Sequence, residues 1–278
     1  MKKKLLKIGA FILAALLIAG VVIFANGLVG NPISKALAQS AAQKYVAETY
    51  ADTDYELGEV SYSFKDGYYY ASVSSPSSID THFALAFNSF GKLRFDYFED
   101  YVTSGFNTVR RVEDDYRKAA ETVFNSRSFP YDAYIAYGEL VYASDEYKDA
   151  PEVPDYAIIT SELTPDAYYN TSEMGARAGK LTVYIYDDTV TAARLAEILL
   201  DIRASFDEAF LGFRAIDCVL EYTRAEDGSY EDGRVEVMDF AYGDIYEEGL
   251  AERVEKSNQA AKEYYAARDA EKFVENPN

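Results

Sequence analysis

One cysteine, one histidine and no tryptophan occur among the 278 residues. A lone cysteine, Cys218, rules out an internal disulfide, and a lone histidine, His82, rules out metal sites built from several histidines. Positive charge is scarce too: 27 Lys and Arg face 47 Asp and Glu, for a formal net charge of −20 and an isoelectric point near 4.4. Binding to phosphate backbones needs clustered Lys and Arg, so nucleic acid is excluded as a partner. The sequence contains no Gly-x-Ser-x-Gly nucleophile elbow, and it carries no cofactor fingerprint. Hydrophobic residues make up 49% and aromatic residues 15% of the chain, enough to bury a sizeable core and too much for wholesale disorder.

What the chain does have is concentrated at its start. Lys2, Lys3, Lys4 and Lys7 precede an unbroken apolar run from Ile8 to Ala25. Eighteen residues at about 1.5 Å each span roughly 27 Å as a helix, close to the thickness of a bilayer's hydrocarbon layer. Eleven large apolar side chains at roughly 0.3–0.6 kcal/mol each favour insertion by about 5 kcal/mol. The run has no polar stripe, which a soluble core helix would show. The expectation is a single-pass anchor in the cytoplasmic membrane, with the lipid bilayer as its partner through residues 8–25. The lysines stay on the cytoplasmic side and everything after residue 26 lies outside. No acid occurs before Glu48, so the region beyond the membrane carries 47 acids against 23 bases. The alternative is secretion after signal cleavage. Ala36-Leu37-Ala38 has small residues at the right spacing but lies thirteen residues past the apolar run, and that run exceeds the usual signal core of about 7–15 residues. The N-terminal pattern looks bacterial.

The remainder reads as two small α+β domains, at 31–127 and 128–278, with antiparallel sheets after the 1–30 anchor. Asn31-Pro32 starts an Ala-rich helix. Four strands follow, Gly58 to Phe64, Gly67 to Ser74, Thr81 to Asn88 and Lys92 to Phe98, paired across turns containing Gly67 and Gly91. Val109, Val112, Tyr116, Ala119 and Val123 mark an amphipathic helix. In the second domain, strands are expected at Tyr134 to Tyr142, Asp155 to Thr160, around Leu181 to Ile185, at Phe213 to Arg224 and at Arg234 to Tyr242. Pro165 to Gly179 reads as a polar loop. Asp187-Asp188-Thr189 is expected to cap a helix whose Leu195, Ile198, Leu199, Ile202 and Phe206 share one face. A charged helix runs from about Tyr246 to Phe273.

No residue rises to a catalytic, cofactor-binding or metal-binding assignment. His82 falls on the more polar face of its strand. Cys218 shares a face with Ile216 and Leu220, which makes it a buried, inert thiol. Asp187 and Asp188 serve better as helix-start acids than as a catalytic pair. The Glu226 to Gly233 stretch holds four acids in eight residues but lacks the register of a calcium loop. Asn170-Thr171-Ser172 matches a glycosylation sequon and fits an exposed loop. Twenty-six tyrosines suit half-buried sheet faces, as at Tyr62, Tyr68, Tyr69, Tyr70, Tyr184 and Tyr186.

Three stretches carry a family resemblance. They are Asn31-Pro32-Ile33-Ser34 entering the Ala-rich helix, Phe95-Asp96-Tyr97-Phe98-Glu99-Asp100-Tyr101 running on to Thr108, and Ala167-Tyr168-Tyr169-Asn170 running on to Asp187-Asp188. Together they resemble the YfjL-like membrane-anchored proteins of Gram-positive bacteria, over nearly the whole chain. The resemblance carries over no catalytic or binding residue. A looser fold analogy is to the small PepSY-like regulatory domains found outside membranes, and fold alone does not give function. The expected role is a non-enzymatic binding or regulatory module of the cell envelope, with an envelope protein or the cell wall as partner. A surface hydrolase using paired carboxylates is the alternative, and a scaffold dimerising through its last helix (Leu250, Val254, Ala261 and Tyr265) ranks behind both.

Overall fold

The computed structural model describes residues 2–223 and 233–275, without the side chains of residues 2–7, 10, 19, 22, 23 and 269–275. The chain forms two compact units that divide between Thr108 and Val109. The class is α+β, as the mixture of periods implies.

The first unit opens with α1 (Lys2–Val29), a continuous helix of 28 residues. Every described side chain from Ile8 to Val29 is exposed, the large apolar ones by 51–77%. Among the described residues no helix is long and apolar enough to cross a membrane. Within α1 that description is interrupted at Ala10, Ala19, Val22 and Ile23, four positions of the apolar run. The chain leaves α1 through Gly30, whose φ of +74° suits glycine. It enters α2 (Pro32–Thr49), where the Asn31 carboxamide oxygen accepts from the amides of Ile33 and Ser34. Strands β1 (Glu56–Tyr62), β2 (Tyr69–Ser75), β3 (Ser78–Phe87) and β4 (Leu93–Asp96) form an antiparallel sheet in that order. The two expected hairpins are both present. Ala38 and Ala42 of α2 pack on Val60, Tyr69, Ala71, Val73, Phe83, Leu85 and Phe87. The small alanines let the helix lie close to the sheet.

The second unit takes most of α3 (Phe106–Phe124). An expected boundary at residue 127 would assign that helix to the first domain, yet its apolar face, Val112, Tyr116, Ala120, Val123 and Phe124, belongs to the second core. The sheet there runs β10 (Arg234–Ala241), β9 (Ala215–Tyr222), β8 (Gly179–Asp187), β5 (Ala133–Leu140). Its outer pairs are antiparallel, whereas β8 and β9 run parallel with α5 (Ala192–Glu208) between them in sequence. Leu195, Ile198, Leu199, Ile202 and Phe206 of α5 are all fully buried, as their spacing predicts. A short parallel pair, β6 (Tyr142–Ala143) with β7 (Ile158–Ile159), lies apart from that sheet. The last helix, α6 (Leu250–Glu275), packs against α5 and β10 and buries Leu250, Val254 and Ala261. The apolar stripe that a dimer seam would need is therefore largely spent inside the unit.

Two local expectations need correction. The polar stretch Pro165 to Gly179 contains helix α4 (Thr171–Ala178), capped by the Asn170 side chain on the Glu173 amide and burying Met174, Gly175 and Ala178. Asn170, which begins the expected loop sequon, is thus a helix cap. The cap of α5 is Thr191, whose hydroxyl accepts from the Arg194 amide, and not Asp187 to Thr189. Asp187 ends β8 instead.

Candidate functional site

A solvent-open cavity of about 500 Å³ lies in the second unit where α5 ends, β9 begins and α4 passes. Its shape follows from three local constraints. At the end of α5, Phe210 takes φ of +52°, a conformation bulky residues rarely adopt, and its ring is 87% exposed. The Leu211 amide then donates to the Phe206 carbonyl at 3.0 Å, closing the helix end. Gly212 next meets α4 backbone to backbone: a Cβ on Gly175 would fall 2.1 Å from the Gly212 carbonyl oxygen. The Gly212 amide donates to Ser172 Oγ at 3.1 Å, and Tyr116 Oη donates to the Gly212 carbonyl, also at 3.1 Å.

The walls are aromatic, with Phe206, Phe210, Phe213 and Tyr242, and carry two charged groups, Asp207 and Arg214. Asp207 is occupied on both oxygens. It accepts from Tyr242 Oη at 2.8 Å and pairs with Arg203 Nε at 3.5 Å. The Arg203 guanidinium lies 4.3 Å over the Tyr242 ring. Burial, followed by the Asp207 hydrogen bond and charge, raises the Tyr242 pKa, so its hydroxyl stays a donor. Arg214 lies 5.6 Å over Tyr156. This arrangement can hold a flat apolar group beside a cation, which is binding chemistry.

Beyond Arg214 lies a polar network. Lys180 Nζ is 3.0 Å from Asp217 and 3.7 Å from Asp239, Tyr156 donates to Asp239, and the Asp239 amide donates to Asp217 at 2.6 Å. Burial, with Asp239 adding to it, raises the Tyr156 pKa. Asp239 sits at a bulge in β10 with φ of +48°.

The residues weighed from sequence alone fall elsewhere. His82 is exposed on β3 opposite Ser74, and its carbonyl accepts from Asn107 Nδ2 at 2.7 Å. Cys218 is fully buried in the second core, where burial pushes its thiol up to about 12. The two lie in different units. Asp187 accepts from the Thr189 amide at 2.8 Å and pairs with Arg194 Nε at 3.0 Å. Of the Glu226 to Gly233 stretch, all but Gly233 lies outside the described residues. Among the described residues no group of three or more His, Cys, Asp or Glu could hold a metal ion. Tyrosines do furnish the sheet faces: Tyr134 stacks on Tyr186 with ring centroids 4.3 Å apart, and Tyr69 is buried.

Neither Arg214 nor Phe210 is flagged by any motif, and the cavity gathers residues from 172 to 243. The only local hint is Leu211-Gly212-Phe213, a glycine directly after a strong helix.

Comparison with known proteins agrees with the two units. The YfjL-like N-terminal domain matches residues 2–97, and the YfjL-like C-terminal domain matches residues 115–255. No curated protein and no solved structure matches the chain. With both domains present in order and the larger covering about half of its length, the chain belongs to the YfjL-like family.

Proposed function

We propose that this protein is a single-pass membrane protein of the bacterial cell envelope. Its two α+β units lie outside the cytoplasmic membrane and bind or regulate an envelope partner without chemically transforming it. The observation that carries this reading is α1: eleven large apolar side chains between Ile8 and Val29 are at least half exposed, with no polar face among them. Leaving such a surface in water is costly at roughly 25 cal/mol per Å², and a bilayer removes that cost. Lys2, Lys3, Lys4 and Lys7 orient the helix with its start in the cytoplasm.

The binding role rests on the aromatic cavity with Arg214 at its edge. A hydrolase acting through paired carboxylates is less well supported. Asp217 and Asp239 do come together, but around the Lys180 ammonium, as an ion-pair network.

Trypsin applied to intact cells should remove a C-terminal tag from the full chain while a cytosolic control protein survives. A tag that is protected, or a chain that fractionates with cytosol after lysis without detergent, overturns the proposal.

A further inference from the structure

Both hairpin turns of the first unit, β1–β2 and β3–β4, lie at the same end of the antiparallel sheet. That end is also where α1 leaves. Tyr62, at the end of β1, donates from Oη to the Gly27 carbonyl at 3.0 Å, and the Asn31 amide donates to Tyr69 Oη at 2.8 Å. The β3–β4 turn reaches α2 as well: a Cβ on Gly91 would fall 2.9 Å from the Leu37 carbonyl oxygen. Two strand spacings separate the turns, roughly 10 Å.

The residues displayed there are unusual for a water-facing tip. Phe64 in the first turn is 64% exposed and Phe90 in the second is 85% exposed, with Ile33 at 72% and Leu37 at 45% on the first turns of α2. Single exposed apolar residues are ordinary, but a group of them at one end marks a contact surface.

Charge is sorted along the same axis. The segments 30–35, 61–69 and 88–94 at this end carry Lys35, Lys65, Lys92 and Arg94 against the single acid Asp66. One of these cations, Lys35, is paired with Glu59 of β1 at 2.8 Å. The segments 48–56, 74–82 and 96–100, at the opposite end, carry eight acids and no Lys or Arg. In a chain of net charge −20, a tip with a surplus of cations is the exception.

Resting on the anchored reading above, we infer that this end of the first unit docks on the bilayer itself. Phe64, Phe90 and Ile33 enter the interface between headgroups and acyl chains, and Lys65, Lys92 and Arg94 face anionic headgroups. Three features select a lipid surface as occupant: the continuity of the tip with the exit of α1, the two aromatic turns, and the cation surplus facing away from the acidic end. Docking holds the first unit against the membrane with its acidic end outward.

The absence of tryptophan allows a direct test. Four single variants of the full chain, Phe64→Trp, Phe90→Trp, Ile79→Trp and Phe11→Trp, are reconstituted in phosphatidylglycerol-containing vesicles with or without acyl chains brominated near the headgroup end. Ile79 lies at the far end of the sheet and is 64% exposed, matching Phe64. Interfacial elements sit ~5–10 Å into the headgroup–acyl boundary, so bromination should remove about half of the emission at positions 64 and 90 and leave position 79 nearly unchanged. Quenching at 11 without quenching at 64 and 90 overturns the docking and leaves the anchor standing. Quenching at 64 and 90 without quenching at 11 overturns the anchor and supports the docking. Equal quenching at 64, 79 and 90 also overturns it, because it shows no preferred end.

Discussion

The hydroxyl of Tyr69 lies 2.8 Å from the amide of Asn31, which donates to it, 38 residues away in sequence. Asn31 is doubly committed, since its side chain also caps α2 at Ile33 and Ser34. Tyr69, only 2% exposed, thus ties β2 to the junction where α1 gives way to α2. Tyr69→Phe removes the acceptor and leaves the Asn31 amide without this bond. The expected cost is about 1 kcal/mol, read as a lower urea midpoint of the full chain in detergent. An unchanged midpoint would show that the junction does not depend on this bond.

Gly175 and Gly212 make a close backbone approach beside the cavity. A methyl group at 175 would sit 2.1 Å from the Gly212 carbonyl oxygen and 2.3 Å from the Tyr116 ring. Backbone cannot yield as a flexible side chain can, so Gly175→Ala should destabilise by roughly 1–3 kcal/mol. Gly243 lines the same cavity, but a methyl group there would meet nothing within 4 Å, and its φ is not positive. Gly243→Ala should therefore stay within about 0.5 kcal/mol of the parent. Equal effects of the two substitutions in thermal melts would contradict the packing described.

These two glycines show how far the sequence can be read. The face of α5 is legible because Leu195, Ile198, Leu199, Ile202 and Phe206 repeat at the helical period, and burial follows that period. The hairpins of the first unit are legible from alternation and from glycine at the turns, where Gly67 and Gly91 take positive φ. Helix α4 is not legible, because it buries Gly175 and Ala178 beside a single large apolar residue, Met174, and hydropathy does not register close backbone contact. The start of α5 is misleading because Asp187 is a good cap by residue type, whereas the fold continues β8 through it. The cavity is invisible for a further reason: it depends on Phe210 turning at positive φ and on residues up to about seventy positions apart converging.

Cys218 gives a chemical check on the second core. Its thiol is fully buried, and burial pushes its pKa up to about 12, so hardly any thiolate exists in the folded chain near neutral pH. Iodoacetamide at pH 8 should leave the native protein unlabelled for hours and label it promptly in urea. Rapid native labelling would mean that β9 opens readily or that the strand faces solvent.

Asp187 supplies a pH dependence whose sign can be worked out. Its burial acts to raise the carboxyl pKa, but the Thr189 amide and the Arg194 guanidinium more than offset this and hold it below the usual carboxylate range. A depressed folded-state value means that the folded chain favours the ionised form. The resulting stability is fully present above the unfolded value of about 3.9 and is lost as the pH falls through the folded value. At pH 7 Asp187→Asn should therefore lower stability by about 1–2 kcal/mol, since it removes a charge-assisted pair. As the pH falls below about 3.9 and on through the folded value, the gap between parent and variant should shrink, because the parent carboxyl is then being protonated as well. Urea midpoints of both chains measured from pH 7 down to the acid limit of folding give the comparison. A gap that stays constant across that range would show that Asp187 contributes by shape alone, without its charge.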